Sequence, residues 1–210
     1  MYTLYYSPGS ASMVVHLALL ELGVAHELRL VDLAARANKD PDYLRLNPNG
    51  LVPTLIVDGA PVFECAALLL LLGERHPEAG LAPAAGAQGR AQYLQWIVHL
   101  ANTVMPAFRQ WFYPQDFAPA EVEAQSKAAA VGRIEAAWQR IDTHLANNGP
   151  YLLGENLSLA DLLLIMLMRW SRNMPKPADN WPALAKHAGL VKQRPAWREL
   201  YRVENLTDWE

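Results

Sequence analysis

The sequence predicts two domains of different class: an α/β domain over residues 1–80, then an all-helical domain over residues 87–210. Three observations carry this expectation. Up to about His76, short β-branched and aromatic runs alternate with stretches of helical periodicity. From Gly86 onward the strand-like runs disappear. Between the two textures, Leu81-Ala-Pro-Ala-Ala-Gly-Ala-Gln-Gly89 is small and Pro/Gly-bearing, the composition of a linker.

The elements follow in order. Tyr2–Tyr6 is a strand closed by Ser7-Pro8-Gly9, and Met13–Leu22 is an apolar helix ended by Gly23. His26–Val31 alternates as a second strand. Asp40–Leu46 is a short helix stopped by Asn47-Pro48-Asn49-Gly50. Thr54–Val57, Asp58-Gly59 and Pro61–Phe63 read as a hairpin, and Glu64–Arg75 as a helix ending before Pro77. A parallel pair followed by an antiparallel hairpin implies a mixed sheet with helices packed on it. In the second domain, helical periodicity runs over 88–113, 119–147, 158–173 and 183–193, with a short piece at 196–203. Ser158 and Asp161 have the spacing of a capping box, with Leu157 and Leu162 as its hydrophobic staple. That pattern is read as a stabilising helix start without chemistry.

Composition excludes several function classes. With 52% hydrophobic and 19% charged residues, the chain buries a substantial core and is not disordered. Residues 1–80 hold 5 basic and 9 acidic side chains and 81–210 hold 13 and 12, so there is no basic footprint for nucleic acid. The longest uncharged apolar run, Cys65–Leu72, is far short of the ~20 residues that span a bilayer. A secretory signal pattern is lacking at the N-terminus, and the single cysteine cannot form an internal disulfide. A cytoplasmic protein without membrane or nucleic-acid partners is expected. The six histidines are scattered without metal-ligand spacing, so no metal is expected; phosphate-loop and Gly-x-Ser-x-Gly patterns do not occur.

Four motifs, in the right order and on the right elements, resemble the cytosolic glutathione S-transferase family over nearly the whole chain. Tyr5-Tyr-Ser-Pro-Gly-Ser-Ala-Ser12 is similar to the first strand and catalytic loop of bacterial beta-class enzymes. Asn47-Pro-Asn-Gly-Leu-Val-Pro53 looks like the segment ahead of the family's cis-proline, Glu64-Cys65 stands where the family has Glu-Ser, and the 158–161 box resembles its C-terminal folding motif. The resemblance implies a thioredoxin-like first domain, a helical second domain, glutathione as co-substrate, and a homodimer built on the helix at 64–75 and those at 88–147. The activity implied is attack of a glutathione thiolate on a small electrophilic, mostly apolar substrate held in an apolar cleft between the domains.

Site residues are carried over position by position. A cis turn at Val52-Pro53 would expose the Val52 backbone to an extended peptide, as the family holds glutathione. Glu64 and Cys65 open a helix whose amides favour anions, and the resemblance places the γ-glutamyl group there. Cys65 replaces a hydroxyl residue; a thiol is the poorer donor, and a helix N-terminus also lowers a thiol pKa, so Cys65 is either redox-sensitive or simply packed. Ala11 stands where beta-class enzymes have cysteine, which removes mixed-disulfide chemistry at that position. Ser10, then Ser12, then Tyr6 are the candidate thiolate donors; Ser12 is equally a helix cap and Tyr6 a core aromatic. Arg36, ahead of Lys39, would meet the glycyl carboxylate; Lys39 is read rather as a solvated surface charge. In the next domain Trp96, His99 and Thr103 share a helix face, His99 or Asn102 looks toward the sulfur, and Trp111-Phe112-Tyr113 would line the acceptor pocket. The first domain has no Cys-x-x-Cys, which excludes dithiol chemistry. Two other readings stay open: a glutathione-dependent isomerase or peroxidase, and a non-catalytic ligand carrier or interaction protein.

Overall fold

A computed structural model describes residues 1–210, which divide into two compact units. The first comprises Met1–Ala82 with Lys192–Asp208 and Glu210. Its sheet has the strands β1 (Tyr2–Tyr6), β2 (His26–Leu30), β3 (Thr54–Val57) and β4 (Ala60–Phe63) in the order β2-β1-β3-β4. β1 and β2 are parallel, with Leu4 opposite Leu28; β3 is antiparallel to both neighbours, with Leu4 opposite Leu55 and Thr54 opposite Phe63. This is the mixed sheet of a thioredoxin-like domain.

Alternation along β1 sorts the helices. Tyr2, Leu4 and Tyr6 point to one face, where α1 (Met13–Glu21) and α3 (Cys65–Arg75) pack. Tyr5 points to the other, where its ring lies 5.9 Å from that of Tyr43 on α2 (Pro41–Leu46). α1 is buried from Met13 to Leu19, which is why its sequence is apolar all round.

A last helix, α9 (Pro195–Val203), is placed by the sequence reading in the helical domain; in the structure it packs on α1 and belongs to the first unit. Trp197, Leu200 and Tyr201 form its buried stripe, and Arg194 at its N-cap makes a two-point ion pair with Glu21 at 2.6 and 2.7 Å.

The second unit, Pro83–Val191 with Trp209, is helical: α4 (Arg90–His99), α5 (Met105–Phe112), α6 (Glu123–Asn148), α7 (Leu159–Trp170) and α8 (from Pro182 to Lys192). α7 is buried from Leu159 to Arg169 and forms the centre of the unit. The single helix expected over 88–113 is interrupted by a π-helical turn at Leu100–Val104. Pro106 supplies the cause: its nitrogen has no hydrogen to give, and its ring crowds the carbonyl four residues back. A wider turn relieves both conflicts without ending the helix. No helix is long and apolar enough to cross a membrane.

Candidate functional site

The loop from β1 to α1 folds three serines onto one another. The Ser10 amide donates to the Ser7 carbonyl at 3.2 Å, closing a turn in which Gly9 has φ 65°. Ser12 Oγ accepts from the Ser7 amide at 3.0 Å and lies 3.1 Å from the Ser7 carbonyl. Ser10 Oγ is 2.7 Å from the same carbonyl and 2.9 Å from Ser12 Oγ. Ser12 is fully buried and Ser10 half-buried. Both hydroxyls donate to the Ser7 carbonyl, which also accepts from the Ser10 amide; burial separates them, since only the half-buried Ser10 has room for its proton to turn toward a ligand. The alternative role of Ser12 as a side-chain cap is not what the structure shows: Ser12 occupies the N-cap position of α1 with helical φ and ψ, and its hydroxyl makes no cap bond.

Tyr6 lies apart from this cluster. Its ring packs 6.1 Å from that of His16, and burial, then the Glu204 carboxylate, raise its phenol pKa, so it keeps its proton at neutral pH.

The second half of the site is the 47–65 segment. The Val52–Pro53 bond is cis, and the Val52 N–H and C=O make no internal hydrogen bond. Glu64 is the N-cap residue of α3 with φ 77° and ψ 113°, a conformation that costs a non-glycine residue about 1–3 kcal/mol. Its side chain is exposed. Cys65 is buried, and its thiol donates to the Ala11 carbonyl at 3.3 Å, which ties the start of α3 to the serine loop. The expected depression of its pKa is reversed. Burial first, then the Glu64 charge, push the thiol up to about 12, more than the α3 N-terminus can offset. Cys65 is therefore a packed residue and not a redox-sensitive thiolate.

Residues 9–75 match the glutathione S-transferase N-terminal domain and residues 100–195 its C-terminal domain. A glutathione S-transferase of Xanthomonas campestris pv. campestris is 32% identical over 169 residues, covering 80% of this chain and 81% of the relative. The chain belongs to the glutathione S-transferase family. Among solved structures, a sphingomonad glutathione S-transferase complexed with glutathione is 34% identical with a TM-score of 0.86, covering 98% of this chain and all of the other. A bacterial beta-class enzyme of Sphingomonas chungbukensis is 30% identical with the same TM-score, at 98% and 100% coverage.

Three further groups of residues complete the description of this transferase. Of the two cations named from sequence, Arg36 stands on an exposed turn with φ 59°, whereas Lys39 reaches the carbonyls of Gly50 at 3.2 Å and Asn49 at 3.4 Å, two residues from Val52. Gly50, with φ 59°, permits that approach: a Cβ there would lie 2.7 Å from Lys39 Nζ. The Val52 turn is braced from beneath by Tyr43 and Asn47, which both donate to the Leu51 carbonyl, at 2.6 and 2.8 Å.

In the helical unit, the rings of Trp96 and His99 lie 5.8 Å apart, and Asn102 and Thr103, within the π turn, are both exposed. Burial, then the Arg140 charge, lower the His99 pKa. Trp111 is buried, while Phe112 and Tyr113 are exposed at 43% and 45%.

Sequence reasoning missed Glu204. Its buried carboxylate accepts from the Gly9 amide at 2.8 Å and from His16 Nδ1 at 2.8 Å. No spacing pattern points from residue 204 to residue 9.

Proposed function

We propose that this protein is a glutathione transferase that binds reduced glutathione against Val52, Glu64 and Cys65 and stabilises its thiolate with the Ser10 hydroxyl. The acceptor is a small, mostly apolar electrophile. The observation that carries the reading is the serine cluster, in which two hydroxyls share the Ser7 carbonyl and the half-buried one belongs to Ser10. Lowering a thiol pKa by about two units requires roughly 2.7 kcal/mol of preference for the anion. A hydrogen bond to a charged group contributes about 1.5–3 kcal/mol, and the N-terminus of α1 adds roughly 0.3–1. Ser10 with α1 therefore suffices, without a cysteine at position 11. Ser12 supports Ser10 from within the loop, and its burial keeps it from the sulfur.

The other contacts follow the chemistry of the peptide. The Val52 N–H and C=O pair with the cysteinyl backbone as an added strand. Glu64, exposed and anionic, faces the γ-glutamyl amine. Lys39, rather than Arg36, takes the glycyl carboxylate, because it is already held beside the Val52 turn. The protein acts in the cytoplasm as a homodimer through α3 and the helices at 88–147.

The test is calorimetric titration with reduced glutathione, followed by turnover with an activated aryl halide, for the wild type and Ser10→Ala. The expectation is saturable binding in both and a loss of turnover of about 10- to 100-fold in the variant. Full turnover in Ser10→Ala would refute the assignment of the donor. Binding without measurable turnover in the wild type would favour a ligand carrier.

A further inference from the structure

We infer that Glu204, close to the far end of the chain, is the positioning residue of the Ser7–Ser12 loop, holding Ser10 in register with the glutathione sulfur; this rests on the reading of Ser10 just given. The two carboxylate oxygens of Glu204 are used differently. Oε2 accepts the N–H of Gly9, the residue before Ser10, and Oε1 accepts from Nδ1 of His16, in the first turns of the helix that follows Ser12. One side chain thus ties the middle of the loop that carries the hydroxyls to the helix that follows it. Glu204 is 2% exposed and His16 1%, so neither bond competes with water. His16 is confined on its other sides by the rings of His26 at 5.6 Å and Tyr6 at 6.1 Å. The Gly9 peptide, at φ 65°, lies in the turn between β1 and α1, and its N–H points to Glu204 Oε2.

Packing alone does not account for a carboxylate here. Removing it from water is costly, and an apolar side chain would fill the same space. The attachment of α9 to α1 already has its apolar stripe and the Arg194–Glu21 ion pair. What only the carboxylate adds is two directional, charge-assisted bonds that end on the loop and on its helix.

The sign of one measurement separates positioning from electrostatics. A nearby negative charge disfavours a thiolate, so if Glu204 acted by its charge alone, removing it would lower the pH midpoint of the bound glutathione thiol. If it acts by holding Ser10, removing it raises the midpoint. The experiment follows thiolate ultraviolet absorbance of bound glutathione against pH, with glutathione affinity and kcat, for the wild type, Glu204→Ala, Glu204→Gln and Arg194→Ala. For Glu204→Ala the midpoint rises by about one unit and kcat at neutral pH falls about tenfold, while Kd for glutathione stays within about threefold. Glu204→Gln keeps an acceptor for Gly9, and its amide N–H pairs with His16 Nδ1 once the imidazole carries its proton on Nε2, so its midpoint stays within a few tenths of a unit of the wild type, by the same conversion. Arg194→Ala lowers the melting temperature and leaves the midpoint in place. A folded Glu204→Ala with an unchanged or lowered midpoint overturns the inference, as does an Arg194→Ala that shifts it equally. If Glu204→Ala does not fold, Glu204→Asp, too short to keep both bonds, takes its place with the same two outcomes. A wild type that neither binds nor turns over glutathione overturns the proposed function itself, which an active wild type with a silent Glu204→Ala does not.

Discussion

Replacing Asp161 with alanine should cost the helical unit several kcal/mol, because one buried carboxylate serves four donors there. Oδ2 accepts from the Ser158 amide at 2.8 Å and the Ser158 hydroxyl at 2.7 Å. Oδ1 accepts from the Leu152 amide at 2.8 Å and from His187 Nε2 at 3.1 Å. Asp161 and His187 are fully buried, and Leu152 and Ser158 nearly so. In Asp161→Ala the serine hydroxyl can turn away, but two backbone N–H groups and an imidazole N–H cannot. Each buried donor left unpaired costs about 1–3 kcal/mol. The variant also escapes the cost of burying a carboxylate, so a net loss of about 3–5 kcal/mol is expected. Against a total stability of roughly 5–15 kcal/mol, that is a large share. Asp142→Ala provides the control. Asp142 accepts from the Ala183 and Leu184 amides at 2.7 and 3.1 Å at the start of α8, but it is only half-buried, and the ordinary capping loss of about 1 kcal/mol applies. The assay is urea unfolding followed by tryptophan fluorescence, with amide exchange at Leu152 and Ser158 as the local reading. A loss in Asp161→Ala no greater than in Asp142→Ala, or unchanged protection of both amides, would refute the reasoning.

Three more expectations follow from the same structure. With its pKa near 12, Cys65 exposes on the order of one thiolate in ten thousand at pH 8, so alkylation of the folded protein should run about a thousandfold slower than of the unfolded chain; comparable rates would show that the thiol is not held as described. His99 should titrate below the usual imidazole range in an NMR pH series. Because its folded pKa is depressed, its contribution to stability is complete above about pH 6.5 and is lost as pH falls through the folded value; a midpoint at or above 6.5 contradicts the burial argument. Val98 on α4 is 47% exposed, and if α4 lies in a dimer interface, Val98→Glu should shift sedimentation of the dimer toward monomer without lowering helicity.

The elements were legible wherever the signal is local. β1 declares itself by five consecutive residues of which three are tyrosine, α3 by the leucine run after Glu64, and α7 by a capping box whose two members are three residues apart. Two departures have equally local causes that pattern counting does not weigh. Periodicity carries straight through 100–104 because Leu100 and Val104, four apart, are the buried pair of the π turn just as they would be in an α-helix, and only Pro106 marks the place. α9 reads as one more helix of a helical domain because its stripe of Trp197, Leu200 and Tyr201 states that it packs, but not on what.

The candidate site divides along the same line. The residue types were readable: hydroxyls in a strand-to-helix loop, a proline ahead of a strand, an acidic residue at a helix start. Their choice among alternatives was not, because it depends on burial. Ser12 and Ser10 differ by two positions and are chemically identical, yet one is sealed beneath the Ser7 peptide and the other stands at the opening. Cys65 shows the converse. A helix N-terminus argues for a low thiol pKa and burial argues for a high one; only the structure supplies the burial that decides between them. Glu204 lies at the limit of this reasoning. An acidic residue just past a helix end is an unfavourable place for a negative charge by the helix dipole alone, so from sequence it is unremarked surface polarity. Folding places it 195 residues away from its partner Gly9, where two hydrogen bonds outweigh the dipole, and the tolerance of a misplaced charge becomes the mark of a residue retained for the loop it holds.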